Sequence, residues 1–147
     1  MRIAILVYLM VFMPMVGAFV SYLIGRKSKA GRDFFVKFIT ILEFCMSLKL
    51  LIDSDGFDGL LVFVPEICGM GLSFTVDGFR VLYATIACFM WMCTGLFSEE
   101  YFAHYRNRNR YYLFQLLTLG ATTGIFLSAD LYTTFIFFEI MSISSYV

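Results

Sequence analysis

The chain has 147 residues, 61% hydrophobic and 19% aromatic, with zero formal net charge. A mean hydropathy of +0.83 stands well above soluble globular domains, and 18 Phe with 9 Tyr make the apolar content bulky. Composition therefore excludes an ordinary soluble domain and points to lipid as the solvent for much of the surface, while the lack of a basic block with aromatic interleaving excludes a nucleic-acid partner.

Taken in chain order, five apolar runs predict five membrane helices, over residues 3–24, 34–52, 79–97, 111–128 and 131–147, the fifth truncated. Each complete run is close to the roughly 20 residues that cross about 30 Å of hydrocarbon. The first run is too long for a signal-peptide core, lacks a small-x-small cleavage site and is followed by RKSKAGR, so it reads as a retained helix.

The connections alternate in charge. The first carries Arg26, Lys27, Lys29 and Arg32, and the third carries Arg106, Arg108 and Arg110. The second, from Asp53 to Asp77, has no Lys or Arg and holds Asp55, Asp58 and Glu66 as well. By the positive-inside rule, connections 25–33 and 98–110 face the cytoplasm and the N-terminus lies outside the cell (inner) membrane. Within the second connection, LLVFV (60–64) and LSFTV (72–76) are β-branched and aromatic, and Pro65, Gly69 and Gly71 lie between them. That pattern predicts an extracytoplasmic β-hairpin. The fold class is thus an all-α membrane protein with one small hairpin.

Three features inside the runs carry chemistry or packing. Glu43 lies near the middle of the second run, with Lys37 and Lys49 six residues to either side and close enough to its ends to snorkel. It reads either as a neutral carboxyl bonded to a neighbouring helix or as a secondary protonatable site. In the fourth run, Gly120 and Gly124 are four apart and allow close helix approach. Gln115, Thr118, Thr122 and Thr123 on that helix either bond to neighbouring helices or line a hydrated path. Glu139 sits in LYTTFIFFEIMSISSYV, where a charge costs about 2–4 kcal/mol on insertion scales. Tyr132, Ser142 and Tyr146 share its helical stripe, which marks a protein-facing side and a buried, protonatable acid. Cys45, Cys68, Cys88 and Cys93 form no CxxC pair and read as small apolar filler. No metal, flavin or iron–sulfur site and no nucleophile-plus-base set is visible, so no cofactor and no catalytic chemistry is expected in this chain.

VDGFR (76–80), LFSEEYF (96–102), RYYLF (110–114) and above all SADLYTTFIFFEIMSISSYV (128–147) resemble a known family. It is that of the antiporter-like membrane subunits shared by respiratory complex I, Mrp-type cation/proton antiporters and membrane-bound hydrogenases. The resemblance implies a proton- or Na+/H+-translocating role inside a redox-driven or antiport complex, with other membrane subunits as partners. It places Glu139 at the family's fifth-helix glutamate, which pairs with a lysine two helices later and couples two titrations. It also implies that residues 1–147 are an N-terminal portion, since such subunits have about fourteen helices around two inverted repeats of five. A scaffolding membrane protein that packs its neighbours without carrying ions is the alternative, and a small transporter working as an oligomer is a third.

Overall fold

The structure is a computed structural model that describes residues 2–54, 59–64, 71–101 and 108–146. Asp55, Asp58, Pro65, Glu66, Cys68, Gly69, His104, Arg106 and Val147 lie outside the described residues. The elements are α1 (Arg2–Lys27), α2 (Lys29–Ser54), β1 (Leu60–Val64), β2 (Leu72–Val76), α3 (Gly78–Tyr101), α4 (Arg108–Leu127) and α5 (Leu131–Tyr146).

The helices outrun the apolar segments. The basic stretch expected to form the first connection is helical on both sides of Ser28, because Lys and Arg are good helix formers. Ser28 alone punctuates it. Its N–H closes α1 on the Ile24 carbonyl at 2.9 Å, and its hydroxyl accepts the Gly31 N–H at 3.2 Å, the usual N-cap bond of a serine. Among the described residues, two helical segments are long and apolar enough to cross a membrane by length and composition, Ile3–Lys27 and Gly78–Ser98. The other three fall short for visible reasons. Lys37, Glu43 and Lys49 interrupt α2, Arg108, Arg110, Gln115 and three threonines dilute α4, and α5 has 16 residues.

Helix α4 is the centre, packing on α1, α3 and α5, while α2 packs on α1 and α3. Pro14 lies inside α1 and has no N–H to give the Met10 carbonyl. The Thr123 hydroxyl of α4 lies 3.1 Å from that carbonyl and supplies the donor. Beside it, a Cβ on Gly120 would meet the Val11 carbonyl at 2.8 Å and the Met15 side chain at 2.5 Å. One turn on, a Cβ on Gly124 would stand 2.7 Å from the Phe137 ring. The two glycines thus serve different neighbours, α1 and α5.

The helix ends gather in two groups. At one, buried Arg32 binds Asp33 at 2.6 Å, lies 4.7 Å over the Tyr112 ring and reaches Asn109 at 3.5 Å. Asn109 in turn donates to the Tyr22 carbonyl at 3.0 Å. At the other end is the hairpin, antiparallel with Leu60 opposite Val76 and Val64 opposite Leu72, the two strands read from the sequence. Gly71 precedes β2 at φ +83, where a side chain would strike Phe63 and the Val64 carbonyl. Strand β2 is seated on the α4–α5 connection. Phe74 bridges Ser128, the Ala129 N–H donates to the Ser73 carbonyl at 2.8 Å, and the Arg80 guanidinium donates to the Ser128 carbonyl. Tyr8 of α1 closes this end by donating to the Phe63 carbonyl at 3.2 Å.

Candidate functional site

The two glutamates of the apolar runs occupy opposite environments. Helix α5 turns Thr133, Phe137 and Ser144 inward. Glu139 is two residues from Phe137, about 200° around the helix, so it points away from α4. Glu139, Ser142 and Tyr146 are all exposed, Tyr146 at 92%. The expectation of a buried Glu139 is therefore corrected for this chain: of its polar stripe Tyr132 is half-buried, while Glu139, Ser142 and Tyr146 are exposed. The sequence pattern identifies the stripe and cannot say what lies against it.

Glu43 is the carboxylate that this chain does bury. It is 0% exposed, and neither carboxyl oxygen has a hydrogen-bond partner among the described residues. On α2 it belongs to a buried stripe, Val36, Thr40, Glu43, Ser47 and Leu50, whose spacing of three and four marks one helix face. Across it on α3 lie Thr85, Cys88 and Gly95. The Thr85 hydroxyl is within 3.3 Å of the Ser47 carbonyl, and Cys88 interacts with both Glu43 and the Ser47 side chain. Leaving an unpaired charge in such a seam costs several kcal/mol, a cost that protonation or hydration removes. Cys88, expected to be filler, is thus a neighbour of the buried acid, and the signal lies in the polar positions 40, 43 and 47.

Gln115 is the second buried group of this kind. It is 8% exposed, and both amide atoms lack a partner among the described residues. A Cβ on Gly95 would sit 3.3 Å from the Thr40 hydroxyl and 3.8 Å from Gln115 Nε2, so the glycine lets both polar groups approach α3 at one point. On its other side Gln115 lines a groove of about 660 Å³ with Thr94, Arg110, Thr118, Ser144 and Ser145. The Thr118 and Ser144 hydroxyls are 3.0 Å apart across it. The polar residues of α4 therefore divide: Thr123 serves packing against α1, while Gln115 and Thr118 line the groove. Among the described residues there is no cluster of three His, Cys, Asp or Glu side chains suited to a metal ion.

No protein-family model matches the chain. It is similar to curated subunits of Na+/H+ antiporters. It is 25% identical over 146 residues to one from Staphylococcus haemolyticus, covering 97% of this chain and 18% of that protein. Over 77 residues it is 30% identical to one from Bacillus subtilis, covering 52% of this chain and 16% of that protein. Over 85 residues it is 29% identical to one from Alkalihalophilus pseudofirmus, covering 56% of this chain and 11% of that protein. The chain thus spans less than a fifth of the length of these relatives. Among solved structures it resembles a chain of the membrane-bound sulfane sulfur reductase, an archaeal respiratory membrane complex. The TM-score is 0.84 over 95% of this chain and 29% of the other at 20% identity, a likeness of fold. Likeness in sequence to these antiporter proteins and in fold to a chain of a respiratory membrane complex agree with the motifs of residues 76–147, and what the chain is similar to is the antiporter-like membrane subunits.

Proposed function

We propose that this chain forms part of an ion-translocating membrane protein in which Glu139 is a protonatable site completed by a protein surface outside residues 1–147. The observation that carries the reading is the division of α5. One face packs on α4 and β2, and the opposite face presents Glu139, Ser142 and Tyr146 uncovered. A carboxylate turned to hydrocarbon at lipid depth is costly, whereas one turned to a protein surface or a wet cavity is the usual arrangement. The surface that completes it carries a cation, the lysine that the family resemblance implies. A carboxylate and an ammonium facing each other in a low-dielectric setting titrate as a pair, so a change at either moves the proton affinity of the other.

In this reading all five helices cross the membrane, and the exchanged ions are H+ and Na+, as in the antiporters whose subunits the chain resembles. The Arg32–Asp33–Arg108 end is cytoplasmic and the hairpin is extracytoplasmic. The chain works beside other membrane subunits, with lipid around the remaining apolar faces. The test is ion exchange by the assembled complex in inverted membrane vesicles. Glu139→Gln is expected to lower transport by about tenfold or more, as loss of an intramembrane ion-path carboxylate does, with assembly unchanged on native gels, and Glu139→Asp should keep part of the activity. Normal transport by the Gln variant overturns the reading. Transport intact with assembly weakened in Glu139→Ala would replace it with a scaffold that docks through the exposed aromatics of α5.

A further inference from the structure

We propose that Glu43 is a second proton-binding site, separate from Glu139, and that it exchanges protons with the groove between α3, α4 and α5 by way of Gln115.

Four polar atoms carry the inference. Both carboxyl oxygens of Glu43 and both amide atoms of Gln115 are buried without a partner among the described residues. Buried polar groups are nearly always bonded, and two such side chains in one interior call for an explanation. They are linked by a run of small and polar positions. Gln115 lines the open groove on one side and borders Gly95 and Thr40 on the other. Thr40 is one turn of α2 from Glu43, a rise of about 4.5 Å, and its hydroxyl already bonds its own helix at 3.1 Å and 3.0 Å. Beyond Glu43 the line continues to Ser47 and Cys88. An acid at the inner end, an amide at the mouth and the Thr40 hydroxyl between them make a polar seam that bridging water would join.

The occupant is a proton. A bare sodium ion needs several converging oxygens, whereas a proton needs only one of the two unpartnered Glu43 carboxyl oxygens. Proton uptake balances simply: a hydronium from the groove gives its proton to a Glu43 oxygen, one O–H bond breaks, another forms, and a water returns. The titratable groups around Glu43 are few. On α3 the group set against it is Cys88. On α2, half-buried Lys37 and exposed Lys49 lie six residues away. Residues 3–25 of α1 contain no charged side chain, and α4 contributes Arg110, Tyr111 and Tyr112 at the groove end. Among the described residues, no cation on a neighbouring helix is therefore set to hold Glu43 permanently ionised, and the acid can change state. The inference does not rest on Glu139, which lies on another helix and another face.

The test is infrared difference spectroscopy of the full chain in its native assembly, reconstituted in lipid, followed against pH and after transfer to D2O. The expected result is a protonated-carboxyl C=O band that responds to pH and shifts in D2O. It should vanish in Glu43→Gln and persist in Glu139→Gln. Gln115→Leu should keep the band and slow its exchange about tenfold, since a leucine cannot replace the bonds of a bridging amide or water. Identical wild-type and Glu43→Gln spectra overturn the proposal. So does a band that neither titrates nor exchanges, which would mark a sealed structural acid, and so does a band that follows Na+ and ignores pH. If Glu43→Gln does not fold, Glu43→Asp serves in its place, and a band that it leaves unmoved overturns the assignment.

Discussion

Glu43 and Glu139 look alike in the sequence, each a lone acid in an aromatic, apolar helix, yet the chain treats them in opposite ways. Helix α2 lies against α1 and α3, and its acid is fully enclosed. Helix α5 rests on α4 and β2, and its acid faces outward. The difference teaches that an intramembrane carboxylate is a property of two surfaces. Glu43 has both surfaces within this chain, and Glu139 has an outer face that no described residue covers. The comparison can be broken by perturbing what the chain builds for itself and observing whether the outer face of α5 responds.

The largest effect is expected at Gly124, where α5 is locked to α4. A Cβ there already meets the Phe137 ring at 2.7 Å, so Gly124→Leu forces the helices apart and should destabilise the chain by about 2 kcal/mol, in the range of overpacked cores. Glu139→Gln should change that stability by less than about 0.5 kcal/mol, as exposed substitutions do. Thermal unfolding of both variants in the same detergent makes the check. Equal losses would mean that the outer face of α5 is held by this chain after all.

A smaller effect is expected at Thr123. Its hydroxyl stands in for the N–H that Pro14 lacks, and the competing carbonyls of Leu119 and Gly120 belong to its own helix ladder. Thr123→Val keeps the shape and removes the donor, leaving the Met10 carbonyl unmet. The expected loss is about 1 kcal/mol, small because polar contacts between membrane helices are individually modest. The double variant Thr123→Val with Pro14→Ala should recover most of it, since residue 14 then donates to Met10 itself. Failure to recover would show that the Met10 carbonyl is not what Thr123 serves.

Much of this is legible in the sequence. The five helices, the two strands at 60–64 and 72–76, and the close approach at Gly120 and Gly124 follow from period, β-branching and residue size, which are local. The helices run past their apolar segments because charged residues continue them, and Arg32, a connection residue by its charge, is buried in an ion pair with Asp33. Thr123 is visible as a polar residue, but its role depends on Pro14, more than a hundred residues away in the chain. The stripe of Glu139 predicts burial from its own helix alone, and burial is decided by what lies opposite. Glu43 reads as a secondary site because its neighbours in sequence are ordinary apolar residues, while those in space, Ser47 and Cys88, form its site.

The smallest effect is expected where the chain anchors the start of α5, the end of that helix that it fully builds. Asp130 caps the helix: its carboxylate accepts the Thr133 N–H at 2.7 Å, and the Thr133 hydroxyl accepts the Ser73 N–H at 3.0 Å, tying the cap to β2. Bonds from the Thr133 side chain and then its backbone hold the Asp130 carboxyl below the usual carboxylate range. A group depressed in the folded state adds stability above its unfolded value of about 3.9 and loses it as the pH falls through the lower folded value. Asp130→Ala should therefore cost about 0.5 kcal/mol at neutral pH, the low end for a lost N-cap because the residue is exposed. The gap to wild type should begin to narrow below about pH 4 and close once the pH has fallen through the lower folded value, where the wild-type cap is itself protonated. Asp130→Asn, which can still accept the Thr133 N–H, should sit near wild type at neutral pH and hold its stability into acid. Unfolding midpoints of the three proteins across the acid range decide it, and a gap that stays constant with pH would mean that the charge of Asp130 contributes nothing to anchoring α5.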